Sequence, residues 1–248
     1  MAVIQLIIAL VILGIIYRRM IKREVPEQIS GLQGIIPVGL GVASLPVSFY
    51  LFLGIGNIML ASGASLKTSV PVIQSILRAF FSAGFPEEIA KLIFMIIAIL
   101  IFRSKIRNVY EYILIGAAVG FGFTLLEEFF YGSGGLSTMI VRLICIAAHM
   151  VFGMIMAKHL GLARYNRKTG NGSAAKEYIL AVLIPIIIHT LYDAFIATNV
   201  MMGSENGTSQ MIGMGLAIAA TVVLFIIQIR VIVQFKKNAE KYCSMTFV

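Results

Sequence analysis

Long unbroken apolar runs dominate this chain, in place of the apolar–polar alternation of a water-facing domain. They fall near residues 2–17, 32–56, 86–102, 111–131, 138–158, 178–198 and 210–233. About 20 apolar residues in a helix cross the ~30 Å hydrocarbon core of a bilayer, with ~17–25 tolerated. The pattern therefore predicts an all-α, polytopic membrane helical bundle of about seven transmembrane helices. Residues 70–85 are also apolar, but Pro71, Arg78, Gly84 and Pro86 interrupt them. They predict an interfacial or re-entrant helix leading into the third span.

Composition agrees with lipid as the solvent. Of 248 residues, 59% are hydrophobic and 12% charged, about half the ~25% charged share of a soluble domain. No internal repeat or soluble module stands out, so residues 1–248 read as one integral membrane domain. The net charge of +9 sits in short clusters: Arg18, Arg19, Lys22 and Arg23; Arg103, Lys105 and Arg107; Lys158, Arg164, Arg167, Lys168 and Lys176; Lys236, Lys237 and Lys241. Each cluster follows an odd-numbered span. The positive-inside rule then predicts an N-terminus outside and a C-terminus inside, with the bilayer rather than nucleic acid as the partner of the basic residues. The first apolar run precedes its basic cluster, the reverse of a cleaved signal, so it reads as a retained helix. Cys145 lies in an apolar run and Cys243 in the basic tail, which does not suggest a disulfide framework.

The informative residues are the ionisable ones within or beside the spans: Glu87, Glu88, Lys91, Glu127, Glu128, Arg142, His149, His189 and Asp193. Each charged group at mid-bilayer costs ~2.5–3.5 kcal/mol on insertion scales, so they must face one another, a metal or water. If the spans alternate as predicted, their depths agree, in the outer half of the membrane. Glu87 and Glu88 pair with Lys91 at helical spacing, and His189 with Asp193. Gly116, Gly120, Phe123 and Glu127 make one stripe, whose glycines admit a close neighbour. Arg142, His149, Gly153 and Ala157 make another.

These residue types suit hydrolysis. A buried carboxylate can act as general base, and His149 and His189 with Glu127 make a Zn²⁺ set. Neither HExxH nor GxSxG occurs. Blander roles stand beside these. The acids after Pro86 suit a helix start, His149 suits a helix–helix hydrogen bond, and His159, next to a basic cluster, reads as a loop residue. Phe121, Phe123, Phe129 and Phe130 read as packing and lipid-facing bulk. A proton- or ion-coupled transporter would also bury such acids and imidazoles, and a non-catalytic scaffold is a third reading.

Four ordered motifs carry a resemblance. Glu87-Glu88-Ile89-Ala90-Lys91 (EExxK), Phe123 to Glu127 (FxxxE), His149 to Gly153 (HxxxG) and His189 to Asp193 (HxxxD) resemble the PrsW family of intramembrane proteases, related to the CAAX prenyl endopeptidases. The match covers roughly residues 84–195, the expected catalytic core. Glu128 stands where that family often has Asn. The resemblance implies a multi-pass protein of the bacterial plasma membrane. It also implies cleavage of a single-span membrane substrate near the outer face, such as an anti-sigma factor, by a glutamate-type or metal-dependent mechanism. Catalytic roles are then expected for Glu87, Glu88, Glu127, His149, His189 and Asp193, with Glu87 or Glu88 as base. Lys91, Arg142 and Glu128 support them.

Overall fold

The computed structural model describes residues 2–131 and 136–247. The helices are α1 (Ala2–Ile21), α2 (Gly31–Ser62), α3 (Pro71–Ala79), α4 (Phe85–Ile101), α5 (Val109–Tyr131), α6 (Leu136–Ile144), α7 (Ala148–Thr169), α8 (Ala174–Phe195), α9 (Gly207–Lys237) and α10 (Ala239–Cys243). The fold is an all-α polytopic bundle. Among the described residues, six helical segments are long and apolar enough to cross a membrane. The expected third span is α4, a 17-residue helix.

Local chemistry sets several boundaries. Ser30 starts α2 with a capping box to Gln33, and Gly63 ends it in the left-handed region at φ 67°. Ser173 and Asn206 cap α8 and α9. The segment expected as a helix leading into the third span is one, and it runs directly into α4. Pro71 occupies the first turn of α3, where no N–H is needed. A π-turn at Phe80–Gly84 then carries the helix on, with Phe85 N–H reaching Phe80 O.

Helix α5 is the hub. Most of its residues are buried, whereas α1 and α9 turn large apolar side chains such as Ile7, Met211 and Ile218 outward, as a lipid-facing ring does. The predicted glycine stripe works as read. A Cβ at Gly116 would strike the Gly153 backbone, and one at Gly120 the His149 backbone, so α5 and α7 meet main chain to main chain. The fifth expected span is divided, because α6 stops at Ile144 and α7 starts at Ala148. Arg142 and His149 therefore lie on different helices rather than on one stripe.

The basic loops gather at one end. Arg107 pairs with Glu24 (3.3 Å), Glu27 (2.9 Å) and Glu111 (2.7 Å). The chain's last described residues dock there too. Phe247 N–H donates to Arg107 O, its ring meets Tyr112 at 5.5 Å, and its carbonyl accepts from Lys168. His159, expected in a loop, is buried within α7, with Nδ1 2.5 Å from Glu177 Oε2. Cys145 and Cys243 are both free and buried.

Candidate active site

Away from that basic end, the titratable residues singled out in the sequence converge. Glu87, Glu88 and Lys91 stand on the first turns of α4, Glu127 and Glu128 near the end of α5, and Arg142 on α6. His149 is the second residue of α7, and His189 and Asp193 close α8.

Lys91 and Glu88 form the centre. Both are wholly buried, and their charged groups lie 2.6 Å apart. An unpaired buried charge would be far costlier than this pair. Lys91 Nζ also reaches His149 Nδ1 at 2.7 Å, and Glu88 Oε1 meets His189 Nδ1 at 2.8 Å. An ammonium can only donate, so His149 Nδ1 accepts and its proton sits on Nε2. That edge donates to Glu127 Oε2 at 2.7 Å. His189 turns Nε2 toward Asp193 Oδ2 (3.3 Å) and Glu87 Oε2 (3.7 Å). The one ion pair thus fixes the Nδ1 sides of both rings, and the Nε2 sides face the remaining carboxylates.

The walls are aromatic. Phe123 lies 4.8 Å from the His149 ring, with Lys91 Nζ 4.1 Å from its centroid. Phe152 lies 5.3 Å from His189. Phe123, expected as lipid-facing bulk or packing, is fully buried against the cluster. Water access differs sharply among the acids. The side chains of Glu87, Asp193 and Glu127 are 17%, 14% and 12% exposed, against 0% for Glu88.

One group is arranged to hold a cation. Glu87, His149 and His189 offer ligand atoms that all lie within 4.8 Å of one another. Glu87 Oε2 is buried without a hydrogen-bond donor among the described residues. Two imidazoles and a carboxylate are a donor set found at catalytic zinc. The group differs from the expected set in one member, Glu87 taking the place of Glu127. Glu127 lies 3.2 Å from Arg142 and accepts from His149 Nε2, the atom whose proton an ion would have to replace.

Glu128 takes a supporting place. It accepts from Arg142 at 2.7 Å and from Gln5 of α1. Gln5 is fully buried and was missed in the sequence, although an amide within an apolar run was the available signal. Gln228 of α9 is a second such residue. It is buried and bonded to Ala147 N–H.

A family model described as PrsW family intramembrane metalloprotease matches residues 35–231. Among curated proteins, the chain is 30% identical over 123 residues to Protease PrsW of Halalkalibacterium halodurans, covering 49% of this chain and 55% of that one. It is 31% identical over 122 residues to Protease PrsW of Bacillus subtilis, covering 48% and 54%. The chain thus spans about half the length of the curated relatives it matches. No solved structure matches it. With the family model covering most of its length and the four motifs meeting in one cluster, this multi-pass membrane chain belongs to the PrsW family.

Proposed function

We propose that the chain is a metal-dependent intramembrane endopeptidase, cleaving membrane-anchored proteins near the outer face of a bacterial plasma membrane. One observation carries this reading. A buried carboxylate oxygen of Glu87 without a donor lies beside the ring nitrogens of His149 and His189, inside a membrane bundle. Burying such an oxygen without a hydrogen bond is costly, and a divalent cation, Zn²⁺ by its donor preference, would relieve it. Glu87, His149 and His189 would hold the ion, which supplies Lewis acidity toward a peptide carbonyl and toward water.

The chain's own residues do the rest. Glu88 and Lys91, closed to water, orient both imidazoles from their Nδ1 sides. That burial argues against Glu88 as the base, and Glu87 belongs to the ligand group. Glu127 keeps partial access to water and is released from His149 Nε2 when an ion replaces the proton there, which favours it as the group that takes a proton from the attacking water. Arg142 balances Glu127 and Glu128, and Asp193 steadies His189.

Helix length and the positive-inside rule support this sidedness. Glu127 stands about 24 Å of helix rise beyond Glu111, at ~1.5 Å per residue, and Glu111 lies among the basic loops. With those loops inside, the cluster lies toward the outer face and the N-terminus outside. A single-span protein fits this site as substrate, and an anti-sigma factor is the specific substrate we favour. The transporter reading lacks comparable support, because the acids and imidazoles form one compact group in a chain of a protease family. The test is cleavage of a single-span substrate in proteoliposomes. The wild type should cut it, and His189→Ala and Glu87→Gln should not. Undiminished cleavage by His189→Ala would refute the reading.

A further inference from the structure

His149 enters the cluster from an interrupted span, and the interruption has a keeper. Cys145 N–H still reaches Val141 O, but Ala147 N–H leaves the α-helical ladder and Ala148 N–H turns back to Cys145 O at 2.9 Å. The backbone on both sides of the gap is met by one side chain, Gln228 of α9. Its Oε1 accepts from Ala147 N–H at 2.9 Å, and its Nε2 lies 3.4 Å from Ile144 O. That nitrogen also reaches Leu224 O of its own helix at 3.3 Å, which steadies the amide. Leu224 packs with Cys145, Ala148 and Phe152 beside it. A broken helix is tolerated at membrane depth only where a neighbour re-satisfies the freed groups.

The gap closes two residues before His149, so the path of the chain through it sets where α7 begins and where that imidazole stands. On the opposite side, Gly120 of α5 presses on the His149 backbone. We infer that Gln228 is a positioning residue for His149, holding the α6–α7 break so that the imidazole meets Glu87 and His189, and that α9 thereby serves the catalytic unit as well as facing lipid. The inference rests on the reading of Glu87, His149 and His189 as a metal-holding group.

The test measures Zn²⁺ affinity of the purified full chain by calorimetry, and the visible spectrum with Co²⁺ in its place. Gln228→Met keeps length and removes both polar atoms. It should weaken Zn²⁺ binding about 10–100-fold, the range for outer-shell partners, and alter the Co²⁺ spectrum. Gln228→Glu keeps an oxygen for Ala147 N–H and should recover most of the affinity. Phe235→Ala removes buried packing on the same helix, two turns past Gln228, and should lower thermal stability while leaving affinity and spectrum near wild type. If Gln228→Met does not fold, Gln228→Asn, which withdraws the amide by one methylene, takes its place with the same expectation. Wild-type affinity and spectrum in the folded Gln228 variant, with His149→Ala abolishing binding, would overturn the inference alone. Unchanged binding in His149→Ala would overturn the metal reading beneath it.

Discussion

Replacing Gly120 by alanine tests whether α5 and α7 must touch for His149 to reach its partners. The added Cβ would lie 2.6 Å from both His149 C and Met150 Cα. Carbon atoms rest at ~3.5–4.0 Å, so the two helices must part by about 1 Å. The His149 bonds to Glu127 and to Lys91 are each 2.7 Å. A 1 Å retreat from α5, to ~3.7 Å, puts the Glu127 bond beyond hydrogen-bonding reach. Overpacking of this kind costs ~1–3 kcal/mol of stability, and a displacement of ~1 Å at a catalytic group costs ~10²-fold in rate. Gly122→Ala is the matched control. Its Cβ would meet Val42 N at 2.8 Å and Val38 C at 2.9 Å on α2, a comparable clash that does not push on His149. Cleavage of a single-span peptide in proteoliposomes should fall about 10²-fold in kcat/KM for Gly120→Ala, and less than about tenfold for Gly122→Ala. Thermal unfolding followed by circular dichroism should drop by similar amounts in both. Equal activity losses at equal stability would refute the argument that helix contact positions the imidazole.

Other outcomes follow from the same geometry. Glu88→Gln leaves Lys91 without its 2.6 Å partner and His189 without its charged acceptor. Stability should fall by ~3–5 kcal/mol and Zn²⁺ affinity by ~10–100-fold; calorimetry showing neither would contradict the role given to that pair. Zn²⁺ at about 100 times its Kd should stabilise the protein by ~2.7 kcal/mol, and His189→Ala should erase the shift in Tm; an equal shift in both proteins would place the ion elsewhere. Glu24 lies in the loop after α1, where burial, with nearby Glu111, pushes its carboxyl from 4.5 up to about 7 against the pull of Ile29 N–H and Arg107. The folded state then keeps a proton that the unfolded chain has released. The resulting stability is complete below pH 4.5 and is lost as pH rises through 7. Tm should therefore fall more steeply between about pH 5 and about pH 8 in the wild type than in Glu24→Gln, and parallel slopes would contradict this.

Much of the site was legible because lipid makes polarity conspicuous. Glu87, Glu127, His149 and His189 stood out as ionisable groups in or beside apolar runs, and they do meet. The stripe through Gly116 and Gly120 foretold the α5–α7 contact, and the basic loops foretold the common end. What stayed hidden depends on three-dimensional partnership. Nothing in the spacing says that Glu87 rather than Glu127 groups with ligand atoms of both rings, since helix rotation decides it. The helix break at 145–147 carries no proline or glycine, because its stability comes from Gln228, some 80 residues onward. His159 looked like a loop residue since its partner, Glu177, sits on the next helix. Residues 70–85 were legible as a helix leading into α4, but the π-turn at Phe80–Gly84 that joins the two carries no sequence signal of its own.

The most direct measurement is X-ray absorption at the zinc edge on purified protein that cleaves its substrate. One ion per chain is expected, with two imidazole nitrogens at ~2.0–2.1 Å, and loss of imidazole scattering in both His149→Ala and His189→Ala. An active preparation without stoichiometric metal, or an unchanged shell in His149→Ala, would contradict it.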